Sequence, residues 1–325
     1  LYGHTQVPPS RFADLLASVQ QNYDLYFIDM TKPGPIAGLD AILVPKPDKP
    51  FSEEDIFKLD QFVVNGGRAL FFVDGQRVDS VSNEGTYAQP LNLNLDNLFF
   101  RWGVRINRDV VKDMYCAPIP LNVGNMGDKP NIQLLPWRFY PLLNNFGKSG
   151  NPIVRNLDMV LARFTSSLDT VQSRGIQKIP LLLTSPYTQD LKAPALIAYT
   201  EARKQPDPQT YNGGPKLRVL ICADGDLVIN DVNYRQNQPY PLGFDRFTRT
   251  TYANKDFAMN AIDYLVDPNG VIAARARTVT LRPLDKIRLD TNRTGWQALN
   301  LLGPLLLIGL IGLGWQTLRR SRYAR

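Results

Sequence analysis

Histidine is almost missing from this chain: His4 is the single one among 325 residues, and it lies at the N-terminal edge of the sequence. Imidazole-based metal centres, Ser-His-Asp or Cys-His triads and imidazole general bases all need a histidine inside a pocket, so these chemistries are set aside. Cysteine is nearly as scarce. Cys116 and Cys222 are too few for a disulfide framework and lack metal-type spacing; they either pair in an oxidising compartment or are small buried apolar residues. The strand-like run Leu217-Arg-Val-Leu-Ile-Cys222 favours burial. No phosphate loop or dinucleotide-binding glycine pattern occurs, which excludes an ATPase. Gly66-Gly67 ends a helix rather than opening one, so the helix dipole there has the wrong sign for phosphate. Basic runs interleaved with aromatics are absent too. Four of the seven net positive charges belong to Arg319, Arg320, Arg322 and Arg325 in the last seven positions, leaving +3 over the rest, which does not read as a nucleic-acid binder. No cofactor is expected.

What is present is an α/β pattern. Apolar runs at Tyr23–Asp29, Ala41–Val44 and Ala69–Val73 predict strands, and a helix is predicted from Ser52 to Val64 between the last two. Ser52 with Asp55 forms a capping-box signature, apolar residues recur at 56, 59, 62 and 63, and Asn65-Gly66-Gly67 supplies a left-handed stop. A second helix is predicted over residues 10–21 with Ser10 as its cap, a short one over 94–102 and a last one over Lys255–Leu265. Further strands are expected at 158–164, 179–184, 195–200 and 217–222, with an exposed Pro/Gly/Asn loop at Lys204–Pro215. Tyr23, Tyr26, Phe27, Phe71, Phe72, Phe99 and Phe100 fall at core spacing. The expected fold is a mostly parallel sheet with helices on both faces, flavodoxin-like, with an irregular excursion over about residues 114–152.

From residue 294 to 318 there is no charged side chain. The apolar heart runs from Leu299 to Trp315, with Trp296 and Trp315 near its ends and Arg319 and Arg320 directly after. That length spans about 30 Å of hydrocarbon and predicts a transmembrane helix. Gly303, Gly309, Gly312 and Gly314 would let a neighbouring helix approach. The short arginine tail, 319–325, is expected in the cytoplasm and residues 1–293 outside it, although Arg275, Arg277, Arg282, Lys286, Arg288 and Arg293 lie just upstream. No export signal is visible before Leu1-Tyr2, which reads like the tail of an interrupted strand. The chain is therefore expected to be the C-terminal part of a longer polypeptide.

Candidate sites lie where strands end. Asp74-Gly75-Gln76-Arg77 follows the third strand, and Asp224-Gly225-Asp226 follows the Leu217 run, with Asp231 beyond it. Such clusters bind divalent cations through oxygen, but calcium-loop spacing is not met, and Asp-Gly turns explain them more simply. Asp74 with Asp224 or Asp226 would make a carboxylate-based hydrolase if they stood about 5–10 Å apart in a pocket. A cleft lined by the loops after Val44, Val73 and Cys222 would instead hold a saccharide or peptide. Tyr234, Arg235, Tyr240, Phe244, Arg246, Phe247 and Arg249 form an aromatic-plus-arginine segment that either contacts a partner or packs on itself.

Several motifs occur in a specific order: Gly3-His4-Thr5 with Tyr23-Asp-Leu25; Phe51-Ser-Glu-Glu54 with Asn65-Gly-Gly-Arg-Ala-Leu-Phe-Phe-Val-Asp74; Leu98-Phe-Phe-Arg-Trp-Gly-Val104; Asn151-Pro-Ile-Val154; Leu183-Thr-Ser-Pro186; Val219-Leu-Ile-Cys-Ala-Asp-Gly-Asp226; and Asn260-Ala-Ile-Asp-Tyr-Leu265. The set resembles the GldG-type family, the auxiliary component of the gliding-motility ABC transporter. The resemblance implies a bacterial inner-membrane protein, mainly periplasmic, with permease and ATPase partners and self-association left open. It also implies a core similar to class I glutamine amidotransferases. Those enzymes need a Cys nucleophile after a strand and a His partner; Asp74-Gly75-Gln76 has neither, so no enzyme activity is expected.

Overall fold

The computed structural model describes residues 3–78, 87–126, 129–146, 150–172, 176–189, 197–202, 217–233, 235–236, 238–266 and 293–323. Leu1-Tyr2, the Lys204–Pro215 loop, Tyr234, the basic stretch Arg275–Arg288 and Arg325 lie outside them. The chain divides into two units, Leu1–Arg277 and Thr278–Arg325.

In the first unit the main elements are α1 (Ala13–Gln20), β1 (Ala41–Pro45), α2 (Glu53–Val64), β2 (Arg68–Phe72), α3 (Asp96–Arg101), β3 (Cys116–Met126), β4 (Lys129–Leu143), β5 (Ile176–Leu182), β6 (Ile197–Ala202), β7 (Leu217–Cys222) and α4 (Asn254–Val266). The central sheet has the order β1-β2-β7-β6-β5. β1, β2 and β7 run parallel, whereas β6 and β5 continue the sheet antiparallel. The expectation of a mostly parallel sheet therefore holds for one half of it only. β6 pairs antiparallel to β7, where a flavodoxin-like order would set a parallel strand.

Alternation along β2 and β7 feeds two cores. Ala69, Phe71, Val219 and Ile221 face α2 and α3 together with Ile42 and Val44. Leu70, Phe72, Leu220 and Cys222 face α1 and α4. Helices thus cover both faces. α2 carries the predicted capping box, with Ser52 Oγ accepting from Asp55 N–H and Asp55 accepting from Ser52 N–H, and Gly66 ends it at φ +100°. α1 starts later than expected: Ser10 lies inside a 3-10 turn, Pro9–Phe12, and no side chain caps the helix.

Two expectations are corrected. Tyr23–Asp29 forms no ladder strand among the described residues; it holds a single bridge at Asp29, and Tyr26 and Phe27 are exposed, as is Phe100 on α3. Apolar, β-branched and aromatic content specifies an extended backbone, but a strand also needs a ladder partner. Residues 114–152 are not irregular. They hold the long antiparallel ribbon β3–β4, whose registers slip between Cys116 and Pro118 and between Asn122 and Asn125. Prolines there mark bulges and edge positions rather than the absence of a strand.

The second unit contains α5 (Arg293–Tyr323), which includes an apolar stretch, Asn300–Arg322, of membrane-spanning length. Trp315, Arg319 and Arg320 are exposed on it, as a helix made to meet lipid requires. Trp296 and Leu299 lie in its first turns. The helix continues through the expected tail to Tyr323.

Candidate functional site

The three parallel strands end together, and each delivers a charged residue just past its carboxyl end. β1 delivers Lys46, held at φ +41° with its N–H bonded to Phe72 O at 2.8 Å. β2 delivers Asp74, and β7 delivers Asp224 and, through the short turn Gly225–Val228, Asp226. Carboxyl oxygens of Asp74, Asp224 and Asp226 all lie within 4.8 Å of one another. The Lys46 ammonium sits among them, 2.6 Å from Asp226 Oδ2 and 3.1 Å from Asp74 Oδ2.

Asp74 and Asp224 have further donors. Gly225 N–H donates to Asp74 Oδ1 at 2.6 Å. Asp226 N–H donates to Asp224 Oδ1 and Arg163 N–H to Asp224 Oδ2, both at 2.7 Å. The Arg163 guanidinium forks onto Asp231 at 3.4 and 3.3 Å, and Arg11 reaches the same carboxylate at 3.6 Å. Tyr140 lies against Arg163, its ring centre 5.8 Å from the guanidinium carbon.

Electrostatics follow from this crowding. Burial pushes the Asp224 carboxyl well above the usual carboxylate range, and the Asp226 and Asp74 charges add to it. Asp74 is also raised by burial, with Lys46 opposing and Asp226 reinforcing the shift. Burial alone would lower the Lys46 ammonium, but Asp226 and Asp74 outweigh it and hold it charged above the ordinary lysine range. Arg163 is held charged in the same way, burial being outweighed by Asp231. Three carboxylates are the donor set of a divalent-cation site. Here a lysine side chain supplies the positive charge from within the fold.

Asp224-Gly225 opens the expected turn, the Asp224 side chain accepting from Asp226 N–H, and both Asp-Gly pairs also have a packing reason for glycine. A Cβ on Gly225 would stand 2.7 Å from Lys46 Cγ, and one on Gly75 would stand 2.5 Å from Ser166 Oγ and 2.8 Å from Asn107 O. Glycine is there because neighbouring chains approach closely.

Little space remains. The adjoining cavity, lined by Leu161, Arg163, Asp226, Ile229, Asp231, Gly243, Phe244 and Asn254, measures ≈ 10 Å³, about the lower limit for a single water. A groove of ≈ 890 Å³ opens elsewhere, between the Gly34–Asp40 segment and α2, reaching Arg68 at the start of β2. It lies toward the amino ends of β1 and β2, away from the loops after Val44, Val73 and Cys222.

The remaining candidates scatter. Gln76 and Arg77 open a small strand, Gln76–Val78, paired with Ala88–Pro90. Arg235 is exposed, and Phe244 stacks on Tyr240 at 5.2 Å. Arg246 covers the exposed Phe247 ring at 4.7 Å. Within the aromatic-plus-arginine segment, both self-packing and outward exposure therefore occur. His4 is buried, not at a ragged edge: its ring stacks on Phe51 at 3.9 Å, and Nε2 stands 3.3 Å from Asp55 Oδ2. Cys116 and Cys222 are both free, and only Cys222 is fully buried. The sequence reading missed Lys46 and Arg163. Lys46 had a signal, being the first charge past a strand end like Asp74 and Asp224; Arg163 had none, since only the tertiary fold brings it in.

A family model described as an ABC-type uncharacterized transport system matches residues 1–217. The chain belongs to this family. Membership in this ABC-transport family implies transporter partners, and with α5 it associates the protein with a membrane. Among solved structures, the chain is similar to the mmIFT52 N-terminal domain, at 14% identity with a TM-score of 0.50, over 82% of this chain and 96% of that one. That likeness concerns the fold. No curated protein matches the sequence.

Proposed function

We propose that this member of the ABC-transport family is a non-catalytic auxiliary subunit, anchored by α5, whose α/β domain binds transporter partners rather than turning over a substrate. The observation that carries this reading is the Lys46 lock. At the edge of the sheet where α/β folds place their chemistry, each carboxylate is already neutralised or hydrogen-bonded, and the cavity adjoining Asp226 measures only ≈ 10 Å³. A hydrolase working through Asp74 and Asp226 would need a free carboxylate and a free acid, and both groups hold the same ammonium instead. The ordered motifs that resemble the GldG-type family support a role beside a permease and an ATPase in gliding bacteria, with the domain on the periplasmic side. Affinity capture of the full chain from its native membranes should recover a permease and an ATPase; recovery of neither would overturn the assignment.

A second reading rests on the ≈ 890 Å³ groove between the Gly34–Asp40 segment and α2, a volume within the range of about 300–1,000 Å³ typical of small-molecule sites. On that reading the domain presents a saccharide or peptide to the transporter. Glu54, Lys58 and Arg68 supply charged groups and Ile36 and Phe57 supply apolar ones. Calorimetric titration of periplasmic saccharides against the wild type and Phe57→Asp separates the readings: saturable heat that Phe57→Asp abolishes favours presentation.

A further inference from the structure

The ≈ 890 Å³ groove beside α2 holds two charges that the fold leaves open. Its charged lining residues are Asp40, Glu54, Lys58 and Arg68. Lys58 and Glu54 answer each other at 2.8 Å, and the Lys58 ammonium also donates to Lys32 O at 3.0 Å. Arg68 and Asp40 have no such closure. Among the described residues neither side chain makes a hydrogen bond or an ion pair. Yet the two are neighbours, at the amino ends of β2 and β1, where Arg68 N–H donates to Asp40 O at 3.2 Å. Arg68 is half-buried, so its guanidinium is not simply a solvated surface charge.

These two charges select among ligands. A neutral saccharide seated here would cover Arg68 and Asp40 without a counter-charge, and burying unpaired charge is unfavourable. A simple anion would face the Asp40 carboxylate, and a simple cation would face the guanidinium. The pattern is met by a molecule that carries both signs close together. Its carboxylate forks onto the guanidinium, and its ammonium meets the aspartate. An α-amino acid has both groups on one carbon. Beyond the charged pair the walls are apolar, with Ile36 on the Gly34–Asp40 side and Phe57, 63% exposed, on the α2 side. An apolar or aromatic side chain would be covered there.

Taking up the second reading, in which this groove is a ligand site, we propose that it binds a free α-amino acid with an apolar or aromatic side chain. The carboxylate lies on Arg68, the ammonium on Asp40 and the side chain against Phe57.

Calorimetric titration of the full chain in detergent micelles tests this, with L-phenylalanine and L-leucine as probes. Both should give saturable heat. L-phenylalaninamide lacks the carboxylate and hydrocinnamate lacks the ammonium, and each should bind about tenfold more weakly than L-phenylalanine. Arg68→Gln should weaken L-phenylalanine by a similar factor and no longer distinguish it from the amide. Asp40→Asn should likewise cease to distinguish it from hydrocinnamate. Both variants should unfold at the wild-type temperature. Equal binding of L-phenylalanine and its two analogues to the wild type would overturn the proposal without recourse to any variant. Heat from maltotriose or trialanine, with none from either amino acid, would also overturn it and leave the groove a ligand site of another class. Silence from all of these probes would overturn both the amino-acid assignment and the second reading.

Discussion

At the residue scale, Lys46 is the position on which the carboxyl edge depends. Its ammonium stands between Asp74 and Asp226, and both partners are mostly buried. Removing one partner of a buried ion pair leaves an uncompensated charge, so Lys46→Met should destabilise the domain by about 3–5 kcal/mol in urea unfolding at pH 8. The sign of its pH dependence follows from the raised Asp74 and Asp224 carboxyls. A carboxyl with a raised folded pKa binds its proton more tightly in the folded state, so its stabilising contribution is present at acid pH and lost as pH rises through the raised value. The penalty of Lys46→Met should therefore shrink between pH 8 and pH 5; a penalty that grows on acidification would refute this account of the site. Gly225 belongs to the same design. Gly225→Ala pushes a methyl into the Lys46 side chain at 2.7 Å and should cost about 1–3 kcal/mol by the same measurement.

At the element scale, α2 and the β3–β4 ribbon show how far local rules reach. Ser52, Asp55, the apolar residues at 56, 59, 62 and 63, and Gly66 all act on neighbours within one helix, and the helix forms where they predict it. Ser52→Ala removes the cap and should cost about 1 kcal/mol, seen as a lower urea midpoint with an unchanged slope. A larger loss would mean that the Ser52–Asp55 pair also fixes His4, which contacts the same carboxylate. The ribbon shows the opposite case. Its prolines and glycines read as loop because they are poor ladder residues, yet strands that lie at an edge or bulge tolerate them. Tyr23–Asp29 errs the other way, since strand propensity without a run of ladder pairs leaves only the bridge at Asp29.

At the scale of the whole molecule, α5 and the α/β unit carry separate tasks. Twenty-three residues from Asn300 to Arg322 have the length and hydropathy of a span. Deleting 293–325 should move the protein from the membrane pellet to the soluble fraction after carbonate washing; a shortened chain that stays in the pellet would refute α5 as the anchor.

The amino-acid sequence by itself determined what depends on local or compositional physics. The capped helix α2, the buried parallel strands and an apolar span follow from residue type and spacing. Asp74, Asp224 and Asp226 were legible as candidates because each lies just past a strand. That they share one ammonium was decided only in three dimensions. Lys46 is far from Asp226 along the chain and meets it because β1, β2 and β7 are adjacent and parallel, so their carboxyl ends converge. Arg163 enters from a different part of the fold, through bonds to Asp224 and Asp231 that no spacing foretells. Charge pairing depends on distance in space, and the tertiary structure alone sets that distance.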